Sequence, residues 1–265
     1  MIPQTEIIKW GKNVPWKTNE QVEQDLVICR ALVEIFNNKF LAENLAFRGG
    51  TALHKLYIHP QARYSEEFEQ IILSGIDASP IGEVIDRLRE ILAFVGKANV
   101  EFGESMATMR FKFESEFPPI VKLKLKVETN CREHFAELGW EKQSFSVKSG
   151  WYSGSCKITT YKLEELLGTK LRALYQRRKG RDLYDLYKAL THSTLDKQAL
   201  IGCFKKYMIF SVGQVPSQKE FLKNMELKLK HPEFLADILT LLRPDEKYDQ
   251  EAAYELVKTE LIGII

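Results

Sequence analysis

The hydrophobic period of this chain changes near Tyr161, and that change limits what it can fold into. Between residues 120 and 129, Val121, Leu123, Leu125 and Val127 alternate with Lys122, Lys124, Lys126 and Glu128. A period of two belongs to a strand with one buried face. Beyond Tyr161 the apolar residues recur at helical spacing, as in Leu163, Leu166, Leu167, Leu171 and Leu174, and helices are predicted over 163–178, 183–190, 196–208, 219–228, 233–242 and 250–261. Before it, the pattern predicts helices at 18–37 and 81–94, strands at 45–47, 66–73, 108–113 and 120–129, and a short helix after Thr51 that Pro60 prevents from continuing. Segment 131–160 is expected to hold short strands or loops. The chain therefore divides into an α/β lobe with a mixed sheet, 1–159, and a helical C-terminal lobe, 160–265; 265 residues suffice for two cores of that size.

Thr18, with Gln21 three residues on, forms a capping-box pattern at the start of the first helix, whose expected apolar stripe is Val22, Leu26, Cys29, Val33 and Phe36. With 45% apolar residues, the chain is neither collagen-like nor disordered. A net charge of +2 is too small to point to nucleic acid by itself, so charge has to be read regionally. No segment approaches the roughly 18 apolar residues of a membrane span, and the amino terminus lacks a signal-peptide pattern, so a cytoplasmic protein with no membrane partner is expected. Cys29, Cys131, Cys156 and Cys203 lie far apart without a C-x-x-C pair, a pattern of free thiols rather than a zinc site. The five histidines follow no order with a serine or cysteine that would mark a hydrolase.

Gly49, Gly50 and Thr51 stand where a strand turns into a helix. There backbone N–H groups can converge on a phosphate and the Thr51 hydroxyl can add a donor, although such a turn also serves as an ordinary connection. Glu67 and Glu69 would share one face of a strand, their Cα atoms roughly 7 Å apart. Two carboxylates so placed repel unless solvated or joined by a cation such as magnesium, which takes hard oxygen ligands. Glu128, the acid on a lysine-lined strand face, is either a charge balance or a third ligand.

Lys170 falls in the middle of the leucine stripe of its helix. It can snorkel to water, meet a structural carboxylate, or reach a triphosphate or active-site acid. In the last case Lys170→Met would leave the fold nearly unchanged. Lys170, Arg172, Arg177, Arg178, Lys179 and Arg181 form a run with no acid among them, read as a solvated helix end or as a grip on a phosphate backbone. Gly180 suits a helix stop. Asp182 and Asp185 follow at i, i+3, and Asp182 is placed to cap the next helix.

Together, FRGGTALHKLY, RYSEEFE, KLKVETNCREHF and TYKLEELLGTKLRALYQRRKGRDLYDLYKAL resemble the nucleotidyltransferase toxins of the AbiEii/AbiGii abortive-infection family, over roughly residues 1–210. The resemblance implies a polymerase-β-like nucleotidyltransferase lobe and a magnesium-dependent enzyme that joins the α-phosphate of an NTP to an acceptor. It implies that Gly49, Gly50 and Thr51 hold phosphate, that Glu67, Glu69 and Glu128 hold the metal, that Lys170 contacts the nucleotide, and that Asp182 is an active-site acid. Glu67 and Glu69 would then act in catalysis together with Lys170 and Asp182. It further implies tRNA as the acceptor, gripped by Arg172, Arg177, Arg178, Lys179 and Arg181, a role in phage defence, and a cognate antitoxin protein; a monomer is expected. The family carries Asp-x-Asp where this chain has Glu67-Phe68-Glu69. Each extra methylene displaces a metal by about 1 Å, enough to cost about 100-fold in rate. Weak activity, a preference for manganese, a silent nucleotide- or RNA-binding module, and transfer to a protein acceptor are the alternatives.

Overall fold

The computed structural model describes residues 2–64, 70–75 and 81–265. Glu67 and Glu69, and residues 66–69 of the strand expected at 66–73, lie outside these residues. The chain forms an α/β unit, residues 1–135 and 140–161, and a helical unit, residues 136–139 and 162–265. The α/β unit runs α1 (Gln4–Gly11), α2 (Asn19–Asn37), α3 (Lys39–Asn44), β1 (Leu45–Arg48), α4 (Gly49–Leu56), β2 (Gln70–Gly75), α5 (Ile81–Ile91), β3 (Ala98–Phe102), β4 (Met106–Glu114), β5 (Lys122–Asn130), β6 (Trp140–Lys148) and β7 (Ser153–Tyr161). The helical unit comprises α6 (Leu163–Gln176), α7 (Gly180–His192), α8 (Lys197–Val212), α9 (Gln218–Leu229), α10 (Pro232–Ala236) and α11 (Gln250–Glu260).

The capping box forms as the sequence predicts: the Thr18 hydroxyl accepts from the Gln21 amide, and the Gln21 side chain accepts from the Thr18 amide. The Val22, Leu26, Cys29, Val33 and Phe36 stripe is buried, but so are Val27, Ile28, Ala31, Leu32 and Ile35. The helix is wrapped rather than laid on a surface: α1, α3 and α5 pack around it while β5, β6 and β7 lie against it. Its polar residues Glu23, Gln24 and Asp25 are consequently buried as well.

Among the described residues seven strands form one mixed sheet in the order β3-β4-β5-β2-β1-β7-β6. β2 pairs antiparallel with β1 and parallel with β5, and β1 pairs parallel with β7. The alternation read from 120–129 holds from Lys122 onward, where Leu123, Leu125 and Val127 are buried opposite Phe113, Phe111 and Met109 of β4, whereas Val121, expected on the core face, precedes the strand and is exposed. Segment 131–160 is more regular than expected, because β6 and β7 form a hairpin of two nine-residue strands. β6 lies at the sheet edge and buries little besides Val147, so its serines and lysines leave too weak an apolar rhythm to read.

In the helical unit, residues 136–139 are tied to α6 by Glu165, whose carboxylate accepts from the amides of Glu137 (2.7 Å) and Leu138 (2.9 Å) and from the Tyr207 hydroxyl (2.7 Å). The helix expected over 233–242 ends at Ala236. Asp237 turns its carboxylate to the Arg181 amide (3.0 Å), and Ile238 and Leu241 are buried in the turns that follow. Gly180 does not stop a helix but starts α7. A Cβ there would lie 2.3 Å from the Phe234 carbonyl oxygen, so the close approach of α10 to α7 requires glycine.

Glu23 carries a measurable consequence of the wrapped α2. Its Oε2 accepts from the Glu116 amide (3.0 Å), while its Oε1 has no partner among the described residues. Burial pushes its pKa from 4.5 to about 7. The folded state therefore holds a proton that the unfolded chain releases, and stability falls as pH rises from about 4.5 to about 7. Glu23→Gln removes that loss. In urea titrations its advantage over the parent should grow by up to about 3 kcal/mol between pH 4.5 and pH 8; equal pH profiles would show that Glu23 titrates normally.

Candidate active site

In the α/β unit the glycine turn follows directly from β1. Gly49 has φ +84°, a left-handed backbone that side chains disfavour, and it opens α4 with Gly50 and Thr51 in the first turn. Thr51 is buried. The preceding Arg48 is buried against Glu133 (2.7 Å) and the ring of Tyr161. At the other end of α4, Lys55 reaches into α2, where its ammonium meets Asp25 Oδ1 at 2.8 Å and Cys29 Sγ at 3.3 Å. Trp10 Nε1 donates to the other oxygen of Asp25 at 2.9 Å. Burial works against the Lys55 charge, but Asp25 prevails and its pKa is raised; burial likewise pushes the Cys29 thiol up to about 12. The adjacent Gln24 accepts from the Tyr64 hydroxyl at 2.9 Å, and Trp16 packs edge-on to the Tyr64 ring. Neighbouring residues of α2 thus anchor both α4 and the segment that ends at Tyr64.

Glu128 sits on β5, half-buried, with Lys126 Nζ at 2.6 Å. In the register it lies opposite Thr108 of β4 and Ile72 of β2. It is an oxygen donor of the kind magnesium or manganese takes.

The helical unit resolves Lys170. Its ammonium lies 3.2 Å from Asp182 Oδ1 and 2.8 Å from Asp185 Oδ2, both fully buried on α7. Asp182 also receives a bidentate Arg177, with Nε at 2.6 Å and Nη2 at 2.8 Å. Burial alone would raise the Asp182 pKa; the Lys170 charge, with the hydrogen bonds and charge of Arg177, outweighs it and holds the carboxyl below its usual value. Asp182 is not the cap of α7. That position is Lys179, and Asp182 lies in the first turn. Lys228, from α9, caps the far end of α6 by donating to the carbonyls of Leu174 and Tyr175. Burial lowers its pKa to about 8 against the opposing charge of Asp182.

The basic run is less solvated than its sequence suggests. Arg172 lies over the Tyr207 ring at 5.3 Å, Arg177 is bound to Asp182, and Lys179 lies 3.3 Å from Asp237. Arg181 is buried, its backbone amide on Asp237, so it is not a surface phosphate contact. Arg178 is exposed. Sequence reasoning missed Asp25, Lys55, Lys228 and Asp237 as organising groups. The two partners of each contact lie far apart along the chain, and no periodic signal connects them.

Residues 30–256 match the family model described as nucleotidyl transferase AbiEii toxin, type IV toxin–antitoxin system. Among solved structures, the nucleotidyltransferase toxin MenT4 of Mycobacterium tuberculosis H37Rv is similar in fold, with a TM-score of 0.68 at 16% identity over 100% of this chain and 91% of that one. A search of curated proteins gives no match.

The pairing of Lys170 overturns the expectation that Lys170→Met is neutral for folding. The substitution takes from Asp182 and Asp185 the buried cation they share, with Arg177 still on Asp182, which should cost about 3–5 kcal/mol in chemical denaturation. Adding Asp185→Leu should restore part of that loss, because one of the two buried acids that Lys170 meets is gone. Unchanged stability of the single variant would show that Lys170 does not hold these acids.

Proposed function

Because the chain belongs to the AbiEii nucleotidyltransferase toxin family, we propose that it transfers a nucleotide from an NTP to tRNA. The family model covers most of the chain, and it describes the toxin component of a type IV toxin–antitoxin system, which implies a cognate antitoxin. Among the described residues no helix is long and apolar enough to cross a membrane. The observation that supports the reading most directly is the buried Lys170–Asp182–Asp185 cluster with Arg177, because such an investment of charge in a leucine-lined helix is what an anion-handling site needs.

In this reading the amides of Gly49 and Gly50 and the Thr51 hydroxyl cradle the triphosphate. Glu67, Glu69 and Glu128 hold magnesium or manganese, their carboxylate oxygens being the hard donors such ions select. The bound ion offsets the negative charge that develops on the transferring phosphoryl group. Lys170 has three N–H donors, two of them directed to aspartates, and the third serves a phosphate oxygen. Asp182, ionised at neutral pH and saturated by Lys170 and Arg177, orients the lysine; its lowered pKa suits it poorly as a proton acceptor. Arg172, Arg177, Arg178 and Lys179 remain proposed contacts to tRNA phosphates, whereas the burial of Arg181 removes it from that set.

The test is mass measurement of tRNA and of the protein after incubation with each NTP and either ion. A tRNA heavier by nucleotide units supports the reading. A heavier protein identifies a protein acceptor, and bound but unreacted NTP identifies a silent binding module, the reading that Glu67-Phe68-Glu69 in place of Asp-x-Asp favours. If long carboxylate arms limit the rate, Glu67→Asp with Glu69→Asp should raise transfer by up to about 100-fold, with each single change doing less; a drop in the double variant would show that the native glutamates already hold a working site. Separately, Arg178→Gln should weaken tRNA binding and reduce its salt slope by about one phosphate contact, and an unchanged slope would return Arg178 to a solvated helix end.

A further inference from the structure

We infer that the solvent face of β4 and β5 is a track for an RNA phosphate backbone that leads to Glu128. The inference rests on the transferase reading for its choice of RNA, but on the sheet register for the site itself. In the β4–β5 ladder, Lys112 lies directly opposite Lys124, Arg110 opposite Lys126, and Glu114 opposite Lys122. Because Phe111, Phe113, Leu123, Leu125 and Val127 fill the buried face, these charges all stand on the other one. It carries five cations against Glu114 and Glu128.

Part of this charge is met from within: Arg110 pairs with Glu101 of β3 at 2.6 Å, and Lys126 with Glu128 at 2.6 Å. Lys112, Lys122 and Lys124 are exposed, and no ion pair involves them among the described residues. Like charges directly opposite in an antiparallel pair destabilise it, so the Lys112–Lys124 juxtaposition is a feature that folding alone does not favour. Elsewhere in the molecule dense positive charge is answered by acids, as Asp182, Asp185 and Asp237 answer the cations of residues 170–181. On β4 and β5 Glu114 stands opposite Lys122 without closing an ion pair, and among the described residues no acid pairs with Lys112 or Lys124.

Spacing identifies the anion. Lys122, Lys124 and Lys126 follow at two-residue steps, roughly 7 Å apart and about 14 Å end to end. That is longer than a triphosphate, and its step is comparable to that between successive phosphates of an extended nucleic-acid strand. The next residue on the same face is Glu128, the proposed metal ligand, so a strand lying along β5 is carried towards the reacting centre.

The test uses the full chain and unfractionated tRNA labelled for fluorescence anisotropy, titrated over a range of salt. Lys112→Gln with Lys122→Gln and Lys124→Gln should weaken binding at least about tenfold and lower the slope of log K against log salt by about 2–3, the loss of three phosphate contacts. The corresponding triple Arg variant should keep both. Thermal stability should be equal or higher in the Gln variant, because the repulsion is relieved, and NTP affinity should not change. The inference is overturned if tRNA binds the Gln variant as tightly and with the same slope, if the parent does not bind tRNA, or if the lysines prove to bind polyglutamate in preference to tRNA, which would make the face a dock for an acidic protein. Failure of the transferase reading is recognised separately: a chain that transfers no nucleotide yet loses tRNA binding in the Gln variant keeps the track and loses the enzyme.

Discussion

A charge taken out of water has to be met by another, and Lys170 is met by two. Its contacts with Asp182 and Asp185 join α6 to α7 across an otherwise leucine-filled interface. Arg177 can close on Asp182 because the backbone between the helices is extended at that residue, with φ −124° and ψ 166°. α7 can begin three residues later because Gly180 leaves room for the Phe234 carbonyl. Asp237 then fastens the first turn of α7 through the Arg181 amide. Each of these features is costly alone, and together they hold Lys170 between two buried acids.

The α/β unit solves a related problem with neighbouring residues of one helix. Because α2 is wrapped on several sides, Glu23, Gln24 and Asp25 are all drawn out of water. Asp25 is satisfied by Lys55 and Trp10 and so fixes α4, while Gln24 is satisfied by Tyr64. Glu23 is left with an oxygen that has no partner among the described residues, and its carboxyl titrates near neutrality. Groups that fix α4 and its glycine turn therefore sit beside a group that makes the unit sensitive to pH, and the burial of one helix explains both.

Two basic regions that look alike in sequence differ in kind. In residues 170–181 the cations are spent on buried acids and an aromatic ring, with Arg177 exposed although bound to Asp182 and Arg178 exposed beside it. On β5 the alternation predicts Lys122, Lys124 and Lys126 as the polar side of a strand. The register shows that lysine faces lysine. Density of charge along a chain says little about its availability, because pairing partners arrive from elsewhere in the fold.

The sequence by itself determined the elements whose signals are local. The capping box at Thr18, the alternation of β5, the leucine stripe of α6 and the glycine turn before α4 were all legible, because each depends on residues within a few positions of one another. The motifs that mark the family are local for the same reason. Tertiary structure alone decided which charges are partnered. Lys170 with Asp185, Lys55 with Asp25, Lys228 with the end of α6 and Lys179 with Asp237 join residues brought together by packing. It also decided the length of the β6–β7 hairpin, whose edge position removes the apolar rhythm, and the end of α10, where Asp237 is drawn to α7. The physical reason is that periodicity records whether a residue faces the core, while an ion pair records which residue of a different element faces it there.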